Sequence, residues 1–306
     1  MRYLMFRLAH ISDPHLGPLP EATAWQLANK RIFGYVNWRR NRKGVLTTDT
    51  LDNLITDMQE QHPDHLAVTG DLVNLALPAE IANAKRWLTT LGSPEDVSVI
   101  PGNHDAYVPN ARMKAEEAWR PFMSGDIAHS GPLTFPYLRV REKVAIIGVN
   151  SARATLPLLA TGYFRKSQAK KLAKLLDECK EKGLFRVVMI HHPPLKRSTH
   201  WHKRLIGGSR FRKTLAKHGA ELVLHGHTHL LTKDSTEGPN GRIPVICVPS
   251  ASQGFGNSHK PAARFNLFDI DGEAGNWSCR LIERGYSSED KLISELGNQM
   301  LSIPNG

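Results

Sequence analysis

Cysteine is scarce. The 306-residue chain has three, Cys179, Cys247 and Cys279, far apart and without a CxxC spacing. That excludes a disulfide framework and a zinc knuckle, and each reads as a small buried apolar side chain. No apolar run approaches the roughly 18 residues of a membrane span. The opening residues 1–6 are too short for a signal peptide, and the residues that follow already read as a strand, so the expected location is cytoplasmic. Internal repeats, low-complexity tracts and linkers are missing too, which favours a single domain over 1–306. Acidic residues run short: 29 Asp and Glu face 40 Lys and Arg, a formal charge of +11. Basic residues gather at Lys30-Arg31, 39–43, 165–171 and 196–213. An anionic partner (nucleotide, lipid headgroup or nucleic acid) and a merely solvated basic surface fit this charge equally well.

What the chain does have is a set of polar blocks, each directly after a short apolar, β-branched run. They are Ser12-Asp13-Pro14-His15, Gly70-Asp71, Gly102-Asn103-His104-Asp105, His191-His192-Pro193-Pro194 and Gly226-His227-Thr228-His229. The runs before them (8–11, 66–68, 97–100, 187–190 and 222–224) read as buried strands. In α/β sheets, polar residues at the C-terminal strand ends converge in one crevice, where such folds place their ligands.

Between the blocks the periodicity alternates with helices. Residues 22–38 read as helical, mixing Trp25, Leu27, Ile32, Phe33, Tyr35, Val36 and Trp38 with Lys30 and Arg31; Arg39, Arg40 and Arg42 follow. This stretch, about 22–43, either packs on the core or forms a basic-aromatic cap at the site or on a membrane surface. Helix 48–61, capped by Thr47 or Thr48, sets Leu51, Leu54, Ile55 and Met58 on one face. Helix 78–91 opens on Pro78 and stops at Gly92. Further helices are expected over 111–122, from Ser167 to Gly183 with Leu172, Leu175, Leu176 and Cys179 inward, and from Ser209 to His218. A buried strand is expected over 145–150. After His229 the pattern turns to strands at 244–248, 264–270 and 277–282, a β-rich part from about 243. The last twenty or so residues read as a polar surface helix with a loose end. The fold class is therefore α/β.

The blocks hold two carboxylates, a carboxamide and several histidines. Oxygen and imidazole nitrogen suit divalent manganese, iron or zinc, and the absence of thiolates disfavours a structural zinc site. Asp13 and His15, like His227 and His229, are spaced i, i+2, and a carboxylate such as Asp71 can bridge two ions. The candidates Asp13, His15, Asp71, Asn103, His191, His227 and His229 are more than one ion takes, whereas two ions about 3.5–4 Å apart account for them.

The order D-x-H, G-D, G-N-H-D, H-H-P-P, G-H-x-H resembles the calcineurin-like metallophosphoesterases, over Asp13 to His229. The resemblance implies a pair of facing mixed β-sheets flanked by helices, with a dinuclear centre at one end of the strands. It implies that Asp13, His15 and His229 hold one metal, that Asn103, His191 and His227 hold the other, and that Asp71 bridges. His104 is then the catalytic residue that is not a ligand, with His192 and Asp105 in supporting places and His225 as a further candidate there. Asp105 is expected to orient His104 or its loop. The implied chemistry is attack on phosphorus by a hydroxide held between the metals.

The D-P-H-L-G opening, the H-H-P-P block and the length are most similar to the bacterial class III cyclic-nucleotide phosphodiesterases and the related glycerophosphodiesterases. That favours a phosphodiesterase acting on an anionic phosphoester. A UDP-diacylglucosamine-type pyrophosphatase is the alternative, motivated by the basic-aromatic stretch 25–42 and the basic stretch 196–212, which would also bring peripheral membrane or lipid contact. A nuclease is less favoured, because no second nucleic-acid domain or binding motif is present. A metal-free scaffold on the same fold would lack ligands, and none is lacking. The sequence assigns no substrate-binding residue and no oligomeric state.

Overall fold

The computed structural model describes residues 5–42, 48–127, 131–196, 198–255, 260–287 and 292–304. Thr47, offered as a cap, and Lys43 and Arg197 of the basic clusters lie outside them. The chain runs β1 (Phe6–Ile11), α1 (Ala24–Leu27), α2 (Arg31–Asn37) with a π-helical turn Trp38–Arg42, α3 (Thr48–Glu60), β2 (His65–Val68), α4 (Pro78–Leu91) and β3 (Val97–Val99). It continues through α5 (Ala111–Ala118), a 3-10 turn Arg120–Met123, β4 (Tyr137–Arg141), β5 (Val144–Val149), β6 (Gly162–Tyr163), α6 (Lys166–Glu181) and β7 (Phe185–Ile190). Then come a 3-10 turn Trp201–Lys203, β8 (Leu205–Ile206), α7 (Gly208–His218), β9 (Leu222–His225), β10 (Thr232–Gly238), β11 (Gly241–Cys247), β12 (Arg264–Glu273), β13 (Asn276–Tyr286) and β14 (Ile293–Met300).

Among the described residues these strands form two six-stranded sheets, ordered β14-β13-β12-β1-β2-β3 and β10-β11-β9-β7-β5-β4, beside a small β6-β8 pair. Strands β1, β2 and β3 are parallel, as are β5, β7, β9 and β11. Strands β4, β10, β12, β13 and β14 extend the sheets antiparallel. Alternation along the second sheet sorts its side chains. Ile146, Val187, Met189, Leu222 and Leu224 join the core shared with β1–β3, whereas Ile147, Val188, Ile190 and Val223 meet α6 and α7. On the first sheet Leu51, Leu54, Met58, Ile81, Ala84 and Leu88 of α3 and α4 join the shared core. Each sheet thus has helices on its outer side and the other sheet inside, which suits parallel strands that need both faces covered. All three cysteines are buried and unbridged.

One expectation fails. The final stretch is not a helix: Ile293–Met300 is an edge strand paired antiparallel with β13. Its sequence ISELGNQM has no alternation and is mostly half-buried or exposed. The long β13 offers it an unpaired backbone row, and those hydrogen bonds, rather than side-chain pattern, decide its conformation. Two expected caps also move. Helix α6 follows Arg165 and α7 follows Gly207, at φ 87, so Ser167 and Ser209 sit inside the first turns. Among the described residues no helix is long and apolar enough to cross a membrane.

Arg186 at the start of β7 is buried and paired with Glu221 ahead of β9, Nε to Oε2 at 2.9 Å and Nη2 to Oε1 at 2.5 Å. The same carboxylate accepts the Arg186 backbone N–H at 2.6 Å. This pins the register of the two strands that carry the histidine blocks. Glu221→Ala strands a buried guanidinium and is expected to lower stability by about 3–5 kcal/mol in urea denaturation. An Arg186→Met, Glu221→Leu double variant is expected to lose much less.

Candidate metal centre

All five polar blocks follow parallel strands, β1, β2 and β3 of one sheet and β7 and β9 of the other, so they meet where the two sheets abut. Backbone bonds stitch the strand ends together. Asp13 N–H donates to Gly70 O (3.0 Å), His15 N–H to Asp71 O (3.1 Å) and Gly226 N–H to His191 O (3.1 Å). Asp13 is fixed across the seam: its Oδ2 accepts Ser12 Oγ–H (2.6 Å) and His227 N–H (2.9 Å), and its carbonyl accepts Ser250 Oγ–H (2.6 Å).

The turns are strained. Asp13 (φ 51), His15 (40), Asp71 (57), His227 (73) and His229 (56) all sit in the left-handed region, which is costly for residues with a Cβ and characteristic of functional turns. Tight packing at two glycines makes this possible. A Cβ on Gly102 would collide with the Asp71 carboxylate, and one on Gly226 with Ser12 Oγ and the Asp13 carboxylate.

These turns gather the seven candidate ligands. Asp71 Oδ2 lies 3.4 Å from His191 Nε2 and 4.0 Å from His15 Nε2, so one carboxylate oxygen faces both halves of the site. Asp13 Oδ1 lies 3.2 Å from His229 Nε2 and 4.0 Å from His15 Nε2, and the two imidazole Nε2 atoms are 3.3 Å apart. Asn103 Oδ1 is 3.3 Å from His191 Nε2. The ligand atoms of Asp13, His15 and His229, of Asp13, Asp71 and His191, and of His191, His192 and His227 each fall within 4.8 Å of one another. All seven side chains are buried. His227 Nε2 has no hydrogen-bond partner among the described residues. Buried carboxylate oxygens and imidazole nitrogens converging with too few donors among them, His227 Nε2 with none, are what a cation satisfies and what a neutral interior does not. The residues therefore fit divalent metals.

Electrostatics agree. Burial opposes charge on His191, yet the Asp71 and Asp13 carboxylates overcome it and push the imidazole up to about 9, so this point of the site attracts positive charge. Burial, then the neighbouring imidazoles, hold His192 and His227 well below the usual histidine range, as neutral rings with lone pairs. Burial works against the Asp71 charge as well, and His191 and His104 nevertheless keep it ionised.

The supporting residues take definite places. Asp105 orients backbone, not the His104 ring: its carboxylate accepts N–H bonds from Asp71 (2.8 Å), Leu72 (2.9 Å), Val73 (3.2 Å) and Gly102 (2.8 Å). Burial and the nearby Asp71 push its carboxyl up to about 8, while the Gly102 and Val73 donors and His191 act the other way. His104 Nδ1 instead bonds Asn74 O at 2.6 Å, its ring stacks on Tyr107, and its N–H donates to Asp71 Oδ1 at 2.7 Å. His192 Nδ1 bonds Ser151 Oγ at 2.8 Å, and its ring lies 4.6 Å from that of His227. His225 is buried with Nδ1 3.1 Å from Gly226 O, and it belongs to none of the ligand groups among the described residues.

The sequence named no substrate-binding residue, but the stretches 22–43 and 196–212, the first offered as a cap, both reach the site, and the 158–160 and Tyr107 walls went unforeseen. A cavity of about 260 Å³ opens over Asp71, Asn103, His104, His227 and His229, and Lys30, Phe33, Trp38, Tyr107, Leu158 and His202 are among the other residues that line it. Tyr107 lies three residues past His104 and Lys30 in a basic cluster, which are weak signals. The 158–160 loop carries no motif at all. Glu80 is a further hidden support: buried, it accepts N–H bonds from Asn74, Leu75 and Leu77 in the loop after Asp71. A larger cavity of about 370 Å³ lies elsewhere, between β4 and α6, and contains none of the five blocks.

Comparison with known proteins agrees with this geometry. A protein of Synechococcus sp. named as a probable cyclic nucleotide phosphodiesterase is 26% identical over 251 residues, 78% of this chain and 84% of its own. A glycerophosphodiester phosphodiesterase of Enterobacter lignolyticus is 32% identical over 98 residues, 32% of this chain and 29% of its own. Among solved structures, a dimetal phosphatase from Danio rerio superposes with a TM-score of 0.57 at 11% identity, over 97% of this chain and 98% of that one. The purple acid phosphatase of yellow lupin (Lupinus luteus) seeds gives 0.60 at 11% identity, over 98% and 54%. These two share the fold. The sequence profile of the calcineurin-like phosphoesterases matches residues 6–231, from the first strand to just past the last histidine block, and the chain belongs to that family of metal-dependent phosphoric ester hydrolases.

Proposed function

We propose that the protein is a dinuclear-metal phosphodiesterase that hydrolyses small diesters, with cyclic nucleotides as the first candidates. The observation that carries the two-metal reading is Asp71 Oδ2, placed between His191 and His15. In this reading Asp13, His15 and His229 hold one ion, Asn103, His191 and His227 the other, and Asp71 spans both; manganese, iron and zinc all suit the donors. Bound cations there supply Lewis-acid charge for the phosphate oxygens and lower the pKa of water. The names of the two sequence relatives support a diester substrate.

The protein's own groups supply the rest. Hydrolysis adds hydroxyl to phosphorus and a proton to the leaving oxygen as the P–O ester bond breaks. His104 is suited to deliver that proton. Its Nδ1–H donates to Asn74 O, so the proton it delivers is the Nε2 proton of the imidazolium, which leaves the neutral Nδ1–H ring behind. Tyr107 stacks on the ring and holds its plane. Asp105 keeps the Asp71 and Gly102 backbones in place, so its role is positioning. The walls from Phe33, Trp38 and His202 lie where they can read the group attached to the phosphate.

His104→Ala is expected to keep its metals and lose about 10²–10⁴ in kcat on an alkyl diester. The loss on bis(p-nitrophenyl) phosphate is expected to be smaller, because p-nitrophenolate leaves without a proton. Equal losses on both, or loss of metal, would remove His104 from the acid role. Asp105→Asn turns one acceptor oxygen into a donor among four N–H groups. It is expected to cost roughly 2–4 kcal/mol of stability and about 10–100-fold in metal affinity, read by thermal melting and metal titration. With manganese present, 2′,3′- and 3′,5′-cyclic nucleotides, glycerophosphodiesters and bis(p-nitrophenyl) phosphate are expected to turn over faster than the matching monoesters. Monoester turnover well above every diester would reject the diesterase reading.

A further inference from the structure

Helices α1 and α2 have no buried residue although their sequences, AWQL and RIFGYVN, are largely apolar. Trp25 is 89% exposed and Phe33 53%, and Ile32 and Val36 are exposed as well. The same holds in two further segments that reach the cavity: Leu156 is 73% exposed, Leu158, which lines it, 84%, and Trp201, next to the lining residue His202, 69%. Leu158 also holds a left-handed backbone at φ 65, an unfavourable setting for an exposed leucine that makes no use of it. Soluble surfaces rarely gather this much exposed apolar area in one place without a partner.

Three segments distant in sequence form this rim, and hydrogen bonds join them. Lys30 Nζ reaches from the α1–α2 junction to Thr155 Oγ1 (2.7 Å) and Leu159 O (3.1 Å). Ala160 N–H donates to His202 O (2.9 Å), and β6 pairs with β8 just beyond. Arg31 anchors α2 to the body through Leu75 O and Ala76 O. Phe33, Leu158 and His202 all border the cavity over the metal centre. The rim is therefore a continuous structure around the mouth of the site.

Its charge has one sign. No Asp or Glu occurs in 22–48, 143–176 or 182–220, the stretches that supply all three segments. Arg39 and Arg40 are exposed beside α2, and Lys203 and Lys260 line the cavity. Exposed tryptophan and leucine on segments that carry basic and no acidic residues match the chemistry of an anionic bilayer interface, where indoles sit at headgroup level and cations meet lipid phosphates. A nucleic acid would be served by the charge but not by Leu156, Leu158 and Val36.

We propose that this rim docks the mouth of the site on an anionic lipid surface, so that the substrate is a phosphodiester presented by, or released from, a lipid. The proposal rests on the diesterase reading for its substrate and on the rim alone for its docking. The test is co-sedimentation of the metal-loaded protein with vesicles of phosphatidylcholine, with and without phosphatidylglycerol. Bis(p-nitrophenyl) phosphate hydrolysis and the mass in solution are measured on the same samples. Binding is expected only with phosphatidylglycerol, weakening as salt rises, with a blue shift of tryptophan emission. A Trp25→Ala, Leu156→Ser, Trp201→Ala variant, altered only at exposed positions, is expected to bind at least about ten-fold more weakly and to hydrolyse the soluble diester at the unchanged rate. A protein that stays in the supernatant with both vesicles overturns the docking. So does a stable dimer that the triple variant dissociates, since a second copy then covers the rim. Vesicle binding without diester hydrolysis would instead overturn the functional reading and leave the docking in place.

Discussion

The arrangement depends on two carboxylates, Asp13 and Asp71, buried at the seam between two sheets. A buried carboxylate is expensive unless positive charge or donors surround it. Here each has one oxygen committed to the protein and another turned towards imidazoles: Asp13 Oδ2 accepts the Ser12 hydroxyl and the His227 backbone N–H while Oδ1 faces His229, and Asp71 Oδ1 accepts the His104 backbone N–H while Oδ2 faces His191. The sheets cannot close over this pair without compensation. The carboxylates push the His191 imidazole up to about 9, and divalent cations at the same atoms would supply the positive charge this pair calls for. Charge compensation is thus both the reason for the fold's seam and the basis of its chemistry.

Holding those oxygens in place has a conformational cost. Five of the site residues occupy left-handed turns, a strain of order 1–3 kcal/mol each. Buried acceptors offset it. Asp105 collects four N–H groups from the loops after β2 and β3, and Glu80 gathers those of Asn74, Leu75 and Leu77. Burial raises the Glu80 carboxyl, whereas its backbone donors and Arg31 act the other way. Arg31 also bonds Leu75 O and Ala76 O, so the rim helix and the metal loops share one network. The rim helix is therefore bonded directly to the loop that carries Asn74, the acceptor of His104.

How much of this was legible in the sequence follows from what each feature is made of. The strand-then-block pattern exposed β1, β2, β3, β7 and β9 and the residues that follow them, because a buried strand and a polar turn differ sharply in side-chain type. The division of those strands between two sheets is set by long-range pairing that local pattern does not carry, and came only from the family resemblance. Strand β14 was misread because its polar side chains do not alternate and its backbone partner, β13, is what orders it. The role of Asp105 was half-read: its neighbourhood to His104 in sequence suggested the ring, while its carboxylate turns back to the backbone. The loop 153–161 was invisible, since exposed leucines without a period look like any surface loop until their neighbours in space are known.

The central claim is that Asp71 bridges two cations held by the remaining six ligands. The most direct measurement is anomalous diffraction from crystals soaked in manganese, with metal content by mass spectrometry on the same preparation. Two peaks about 3.5–4 Å apart are expected, with Asp71 between them, His15 on one side and His191 on the other. A single peak, no peak, or two ions with the Asp71 carboxylate turned away from one of them would contradict the account.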